Sequence, residues 1–372
     1  MAVSEAIDRV PVETFLFLPD LDGGGAQRTL VNLANTLPRD RVSPTLVAGR
    51  ADGAARQWLA SDTPLMDLEA KRLFQALRPL RCVLRDRRPT VLLSTIADAN
   101  ALAWMASLGL GTKCIFRETN SHRSRDDLST LRRRLISISY RQADAVVALS
   151  EGVGRELIED YRLDSGRTHT IHNPVDTSLF DPSDATAIEI PVDDGSRLIL
   201  GIGRLTRQKN FELLLRAFAK LGDRSSRLAL LGDGPDRTKL EDLAQELKIQ
   251  DRVAMPGFVD DTRPWLARAD LFVLSSLWEG FGHVLVEAMA AGTPVLSTDC
   301  PHGPRDIIED QVTGRLIANN SVQAMWQGME QFLGDPDALL RLGAAGKTAA
   351  KRFVADKIAG DYADLIERVA AG

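Results

Sequence analysis

The chain alternates short apolar runs with amphipathic stretches, and this rhythm narrows its possible folds more than any other feature. Thr14 to Leu18, Thr45 to Val47, Thr90 to Ser94, Lys113 to Arg117 and Ala145 to Leu149 read as strands in the first half. Leu198 to Ile202, Leu228 to Leu231, Arg252 to Met255, Leu271 to Leu274 and Val295 to Ser297 repeat the scheme in the second. Runs this short and this apolar suit strands covered on both faces, as in parallel sheets. Between several of them lie helical stretches, such as Leu30, Val31, Leu33, Ala34 and Leu37 on one face after Gly23-Gly24-Gly25. The alternation predicts an α/β protein of two doubly wound halves, and 372 residues exceed one ordinary core. Pro182, Pro191, Asp193, Asp194 and Gly195 mark Asp181 to Ser196 as the linker region. Domains are therefore expected at 1–175 and 176–352. A tail, 353–372, holds a last helix at about Ala355 to Val369; no strand follows it, so it is expected to pack back toward the first domain.

Apolar residues make up 44% and charged residues 26%, the balance of a globular protein rather than a disordered one. No apolar run approaches the roughly 18 residues of a membrane span, and Met1 to Arg9 holds no apolar signal region. Cys82, Cys114 and Cys300 are odd in number and share no metal-ligand spacing, so they read as reduced thiols and point to the cytoplasm. His122, His169, His172, His283 and His302 form no zinc pattern. Residues 1–175 carry 24 Lys and Arg against 21 Asp and Glu, whereas residues 176–372 carry 22 against 30. The basic excess of the first half includes Arg81, Arg85 and Arg88, at helical spacing beside Leu80, Val83 and Leu84, and the cluster Arg132-Arg133-Arg134. Such faces either stand in solvent or lie on an anionic membrane, here the inner face of the plasma membrane.

The stretch from Leu271 to Ile308 carries the most chemistry. After the apolar run Leu271 to Leu274, Ser275 to Gly282 cannot continue a strand, His283 to Ala291 reads as a helix stopped by Gly292, and Pro294 to Ser297 reads as the next strand. This strand–loop–helix–strand unit puts Glu279-Gly280-Phe281-Gly282 at the carboxyl edge of a sheet, where open α/β folds bind ligands. Gly280 and Gly282 allow close approach of backbone amides at a helix start that favours anions, and Glu287 adds a second carboxylate eight positions after Glu279. Other informative residues also follow strand ends. Gly203-Arg204-Leu205 precedes Lys209-Asn210, so two cations stand at a helix start where a diphosphate could be held. Gly232-Asp233-Gly234-Pro235 follows another strand, with Pro235 placed for a first helical turn. Pro256-Gly257-Phe258 follows a third.

Together His172-Asn173-Pro174-Val175-Asp176, Gly203-Arg204 to Lys209-Asn210, Leu231-Gly232-Asp233-Gly234-Pro235 and Glu279 with Glu287 resemble glycosyltransferase family 4, over essentially the whole chain. The resemblance implies the GT-B fold, two Rossmann-like domains with a cleft between them, and transfer with retention from a nucleotide-sugar. Asp299-Cys300-Pro301-His302-Gly303-Pro304-Arg305 resembles the subgroup using UDP-linked galactose or N-acetylgalactosamine.

By that resemblance Arg204 and Lys209 contact the donor pyrophosphate, with Gly203 beside them, and Glu287 takes the ribose hydroxyls. Glu279 binds hydroxyls of the transferred sugar, and amides around Phe281, Gly282, His283 and Val284 bind phosphate or sugar. The base lies near Gly257 and Phe258, and Gly24 and Gly25 approach the diphosphate from the first domain. Glu118, Asn120 and His122 follow a strand and line the acceptor side; His122 orients the acceptor or the donor sugar. Prepositioned cations and amides stabilise charge on the departing phosphate. That phosphate takes the acceptor proton on the same face, so Glu279 is not a nucleophile.

Asp20-Leu21-Asp22 matches the D-x-D that holds a metal in other transferases, but Arg204 and Lys209 already supply positive charge, so no metal or other cofactor is expected. Gly201-x-Gly203 and Gly232-x-Gly234 lack the third glycine of a dinucleotide fingerprint. Expected partners are a nucleotide-sugar, a glycan or polyprenyl-diphosphate-linked glycan acceptor and an anionic membrane, and not nucleic acid. A nucleotide-sugar epimerase and an inactive scaffold of the same fold are the alternatives.

Overall fold

The computed structural model describes residues 10–22, 24–119, 129–180 and 195–372. Two compact units divide the chain: Met1–Pro174 with Ala355–Gly372, and Val175–Val354. The linker region Asp181 to Ser196 lies almost wholly outside the described residues.

In the first unit β1 (Val12–Asp20), β2 (Val42–Arg50), β3 (Leu65–Asp67), β4 (Val91–Thr95), β5 (Lys113–Glu118), β6 (Ala145–Ala148) and β7 (Thr168–Thr170) form a sheet ordered β3-β2-β1-β4-β5-β6-β7. Every pairing in it is parallel. The helices are α1 (Gly25–Thr36), α2 (Leu77–Arg87), α3 (Ala97–Ser107), α4 (Thr130–Gln142) and α5 (Glu151–Tyr161). Alternation along β1 feeds two cores. Phe15 and Phe17 join residues of α2 to α5, while Leu16 and Leu18 join Leu30, Val31, Leu33 and Ala34 of α1.

In the second unit β8 (Leu198–Ile202), β9 (Arg227–Leu231), β10 (Val253–Gly257), β11 (Leu271–Leu274), β12 (Val295–Thr298) and β13 (Arg315–Ile317) form a parallel sheet ordered β10-β9-β8-β11-β12-β13. Its helices are α6 (Phe211–Phe218), α7 (Arg237–Glu246), α8 (Arg263–Arg268), α9 (His283–Ala291), α10 (Pro304–Ile307), α11 (Val322–Gly334) and α12 (Pro336–Ala350). Helix α9 stops at Gly292, whose φ of 82° ends it in the left-handed region, as its sequence predicts.

The last helix, α13 (Ala355–Ala371), returns to the first unit. Ile358, Tyr362, Leu365 and Ile366 repeat at helical spacing and bury against α1 and β1. At roughly 1.5–3 kcal/mol for each large apolar side chain buried, this stripe suffices to dock a helix that no strand follows. Arg41 fastens it at the rim, donating to Asp364 at 2.6 Å and Glu367 at 2.7 Å.

Three strands escape the sequence reading: β3, β7 and β13. Each has three residues and lies at a sheet edge, where short strands carry little apolar signal. Conversely β1 and β2 run past their apolar centres, because pairing continues through polar ends from Val12 opposite Val42 to Asp20 opposite Arg50.

Candidate active site

In the second unit the loops after β8 and β11, neighbouring strands, are tied together by one backbone and two side-chain hydrogen bonds. Leu277 N–H donates to the Gln208 carbonyl at 2.8 Å, Ser275 Oγ to the Lys209 carbonyl at 2.8 Å, and Gln208 Nε2 to the Trp278 carbonyl at 2.9 Å. Within this frame Lys209 Nζ lies 2.6 Å from Glu279 Oε1. Ser276 Oγ donates to the same oxygen at 2.6 Å. The carboxylate is buried and its two donors leave Oε2 without a hydrogen-bond partner among the described residues. Arg204 lies on the same loop as Lys209, is exposed, and makes no ion pair among the described residues. One cation is thus held against a carboxylate and one stands open to an anion.

Helix α9 begins beside this pair, with Gly282 at its N-cap and a φ of 108°. The first N–H groups of a helix lack intrahelical acceptors and favour anions. Along α9, Leu285, Val286 and Ala288 are buried, whereas His283, Val284 and Glu287 share the half-buried stripe. Three residues assigned to donor binding therefore line one face of one helix. Phe281 differs: its ring is buried, 5.4 Å from Phe353 and 5.6 Å from His283, so only its backbone can serve a ligand. The loop after β12 backs this arrangement. Glu279 N–H donates to the Pro301 carbonyl at 3.3 Å. A Cβ on Gly303 (φ 83°) would stand 2.1 Å from the Phe281 carbonyl oxygen, so only glycine fits. Arg305 of α10 pairs back with Asp299 of this loop. Burial, reinforced by the Glu279 charge, pushes the Cys300 thiol up to about 12, which keeps it protonated and unreactive.

The glycines after β9 are required by the frame itself. Gly232 has φ 134°, and a Cβ there would lie 2.1 Å from the Gly203 carbonyl oxygen. A Cβ on Gly234 would lie 2.3 Å from that of Leu205. Asp236 N–H donates to Leu205 at 3.1 Å, so the chain turns once more before α7. Pro235 accordingly precedes the helix, which starts at Arg237, and does not open its first turn. Gly257 ends β10 with φ 93°, and Phe258 next to it is 78% exposed, an aromatic face open to stacking. Arg237 braces this corner by donating to the Met255 carbonyl at 2.7 Å.

In the first unit Gly24 caps α1 and Gly25 is its first residue, with open space around a Cβ on Gly25. The Asp20-Leu21-Asp22 carboxylates are already bonded. Asp20 accepts from Gln27 at 2.8 Å, and Asp22 pairs with Arg50 at 2.7 Å. Glu118, expected on the acceptor side, is turned into the interior: it is 2% exposed and accepts from the Tyr140 hydroxyl at 2.5 Å and from Thr119 N–H at 2.8 Å. Burial and the Glu118 charge raise the Tyr140 pKa well above its ordinary value, so the phenol stays a donor. Asn120 and His122 lie outside the described residues. Of the three basic residues on α2, Arg81 donates to the Ala106 and Leu108 carbonyls at 3.0 and 2.8 Å, closing the end of α3. Arg85 is exposed and pairs with Asp86 at 3.0 Å. Arg88 is not on the helix face, because α2 ends at Arg87 and Arg88 turns off with φ 51°.

Two parallel doubly wound sheets, with ligand-type loops at the carboxyl ends of β8 and β11, define the GT-B class of glycosyltransferases. HepE of Anabaena, solved in complex with UDP-glucose, superposes with a TM-score of 0.82 over 96% of this chain and 99% of its own, at 20% identity. The first unit matches the model of Glycosyltransferase Family 4 at residues 23–179. The second matches that of Glycosyl transferases group 1 at residues 183–349. The chain belongs to this family of glycosyltransferases. The lipopolysaccharide core biosynthesis glycosyltransferase LpsE of Rhizobium meliloti is 28% identical over 92% of this chain and 96% of its own length. An N-acetylgalactosamine-N,N'-diacetylbacillosaminyl-diphospho-undecaprenol 4-alpha-N-acetylgalactosaminyltransferase of Campylobacter jejuni is 30% identical over 63% of this chain, spanning 62% of that protein. These likenesses favour transfer over the epimerase and scaffold alternatives.

Sequence reasoning missed Ser276 and Gln208. Both are small or neutral residues inside loops read as turns, and their role becomes visible only when the two loops meet.

Proposed function

We propose that this glycosyltransferase moves a hexose or N-acetylhexosamine, with retention, from a UDP-linked donor to a growing surface glycan on a polyprenyl diphosphate, without a metal. The pairing of Lys209 with Glu279 just before α9, with an exposed Arg204 on the same loop as Lys209, carries the reading. It offers positive groups for a diphosphate and a carboxylate for sugar hydroxyls within one loop frame. As the glycosidic bond breaks, charge grows on the β-phosphate, and Arg204, Lys209 and the α9 amides stabilise it. Glu279 Oε1 already accepts two hydrogen bonds, which suits a group that binds hydroxyls better than one that attacks carbon. The bonded state of Asp20 and Asp22 supports the metal-free reading, and Phe258 offers a platform for uracil. The nature of the donor and acceptor is supported by the HepE complex and by the names of the Campylobacter and Rhizobium relatives.

A thermal-shift panel of UDP-, GDP- and ADP-sugars tests the donor. A ligand at 100 times its Kd adds about 2.7 kcal/mol to the folded state. UDP-sugars should raise Tm and the others should not; a response to GDP-sugars alone would refute the assignment.

A lipid-linked acceptor would bring the enzyme to an anionic membrane. Among the described residues no helix is long and apolar enough to cross one. Contact would fall to exposed cations of α2 and its end. The double variant Arg85→Gln with Arg88→Gln should bind phosphatidylglycerol vesicles roughly 10- to 30-fold less tightly, at about 1 kcal/mol for each cation. Unchanged co-sedimentation would remove this part of the proposal.

A further inference from the structure

Glu279 must do two things at once: neutralise Lys209 when no donor is present, and keep its own position when the donor takes that lysine away. Two bonds at one oxygen bear on both demands. Lys209 Nζ and Ser276 Oγ bond the same oxygen, each at 2.6 Å. A diphosphate competes for the ammonium because it offers more charge than one carboxylate. Once Lys209 swings to it, a 6% exposed carboxylate would be left without its cation. Ser276 is fully buried and cannot follow the ligand. Its backbone is pinned from the next strand, where Thr298 Oγ1 donates to the Ser276 carbonyl at 2.7 Å.

We infer that Ser276 is a positioning residue that holds Glu279 by Oε1 after Lys209 leaves, so that Oε2 is presented to the hydroxyls of the donor sugar. Ser276 itself touches no substrate. The inference rests on the donor site proposed above. It goes further in separating two demands, diphosphate binding, which does not need Ser276, and sugar binding, which does.

The test compares UDP with the UDP-sugar that stabilises the wild-type protein most, by titration calorimetry and steady-state kinetics. In Ser276→Ala the Kd for UDP should stay within about twofold, while the UDP-sugar loses about ten- to hundredfold, the effect of one hydrogen bond to a charged group. The turnover number should fall with it. Ser276→Thr keeps the hydroxyl and should recover most of the loss. A merely structural role would weaken UDP and UDP-sugar alike, and that outcome overturns the inference, as does unchanged sugar affinity. Should Ser276→Ala fail to fold, Thr298→Val loosens the same serine from behind and should give the same split, smaller in size; an equal loss for both ligands again overturns the inference. Arg204→Ala separates the two levels. If it transfers sugar at the wild-type rate, the donor site is misplaced and the inference falls with it. If it is inactive while Ser276→Ala is normal, only the role of Ser276 is wrong.

Discussion

The two units build the same scheme and use the carboxyl edges of their sheets in opposite ways. In the second, the loops after β8 and β11 leave Arg204 exposed and hold Lys209 against Glu279 within reach of α9. In the first, the corresponding charges at the end of β5 face inward. Arg117 is wholly buried and donates to Tyr362 of α13 at 3.1 Å, to Thr95 of β4 at 3.0 Å, and to Asn173. Glu118 beside it is taken up by Tyr140 of α4. Asn173 precedes the point where the chain leaves the first unit, and Tyr362 lies just after the point where it returns. One edge leaves a cation open, while the other uses its charges to fasten both crossings of the chain to the first unit. A charged residue past a strand end is therefore not by itself a site; its burial and its partners decide.

Exchanging the roles of the two arginines would break this contrast. Arg204→Ala should lower the rate of transfer about 10²–10³-fold, the usual cost of losing one donor to a developing oxyanion, with Tm unchanged because the side chain is exposed and unpaired among the described residues. Arg117→Met should do the reverse. It leaves Thr95 and Tyr362 in the interior without the donor they share, at about 3 kcal/mol in total, and leaves UDP affinity as it was. Urea unfolding and a transfer assay on both variants decide. Loss of stability in the first, or of donor binding without loss of stability in the second, would show that the two edges do not divide the labour in this way.

How much of this was legible beforehand follows from the same contrast. The sheet strands with apolar centres and the helix from His283 to its stop at Gly292 could be read from residue type and spacing, because each is a local pattern, whereas the meeting of Lys209 with Glu279, 70 positions on, was implied only by the family resemblance. What could not be read depends on a third dimension. Gly232 and Gly234 read only as a turn after a strand, yet their missing Cβ atoms make room for the backbone at Gly203 and Leu205. Glu118 looks like an acceptor residue until Tyr140, 22 positions away, is found bonded to it. Arg81 seems part of an exposed basic face, but its guanidinium reaches the carbonyls ending α3. Ser276 carries no signal of its own, since a serine in a turn is ordinary until its hydroxyl meets a carboxylate.

The smallest expected effect probes how tightly α13 closes the first unit. His169 of β7 has its pKa lowered from 6.5, first by burial and then by the positive charge of Arg368 on α13. The folded state therefore takes up a proton less readily than the unfolded chain, whose imidazole titrates near its ordinary value. The stability tied to this group is fully present above pH 6.5. It falls as the pH drops below that value and levels off once the folded-state imidazole is protonated too. Urea midpoints at pH 7.5 and 5.5 should thus move further apart in the wild-type protein than in His169→Gln, where this contribution is gone and all other titrating groups remain. Because Arg368 supplies part of the shift, Arg368→Gln should narrow the wild-type gap as well, by less than the histidine replacement does. Equal gaps in all three proteins would mean that β7 and α13 do not share this field, and the docking of the last helix would then rest on its apolar stripe and the bonds from Arg41 and Arg117.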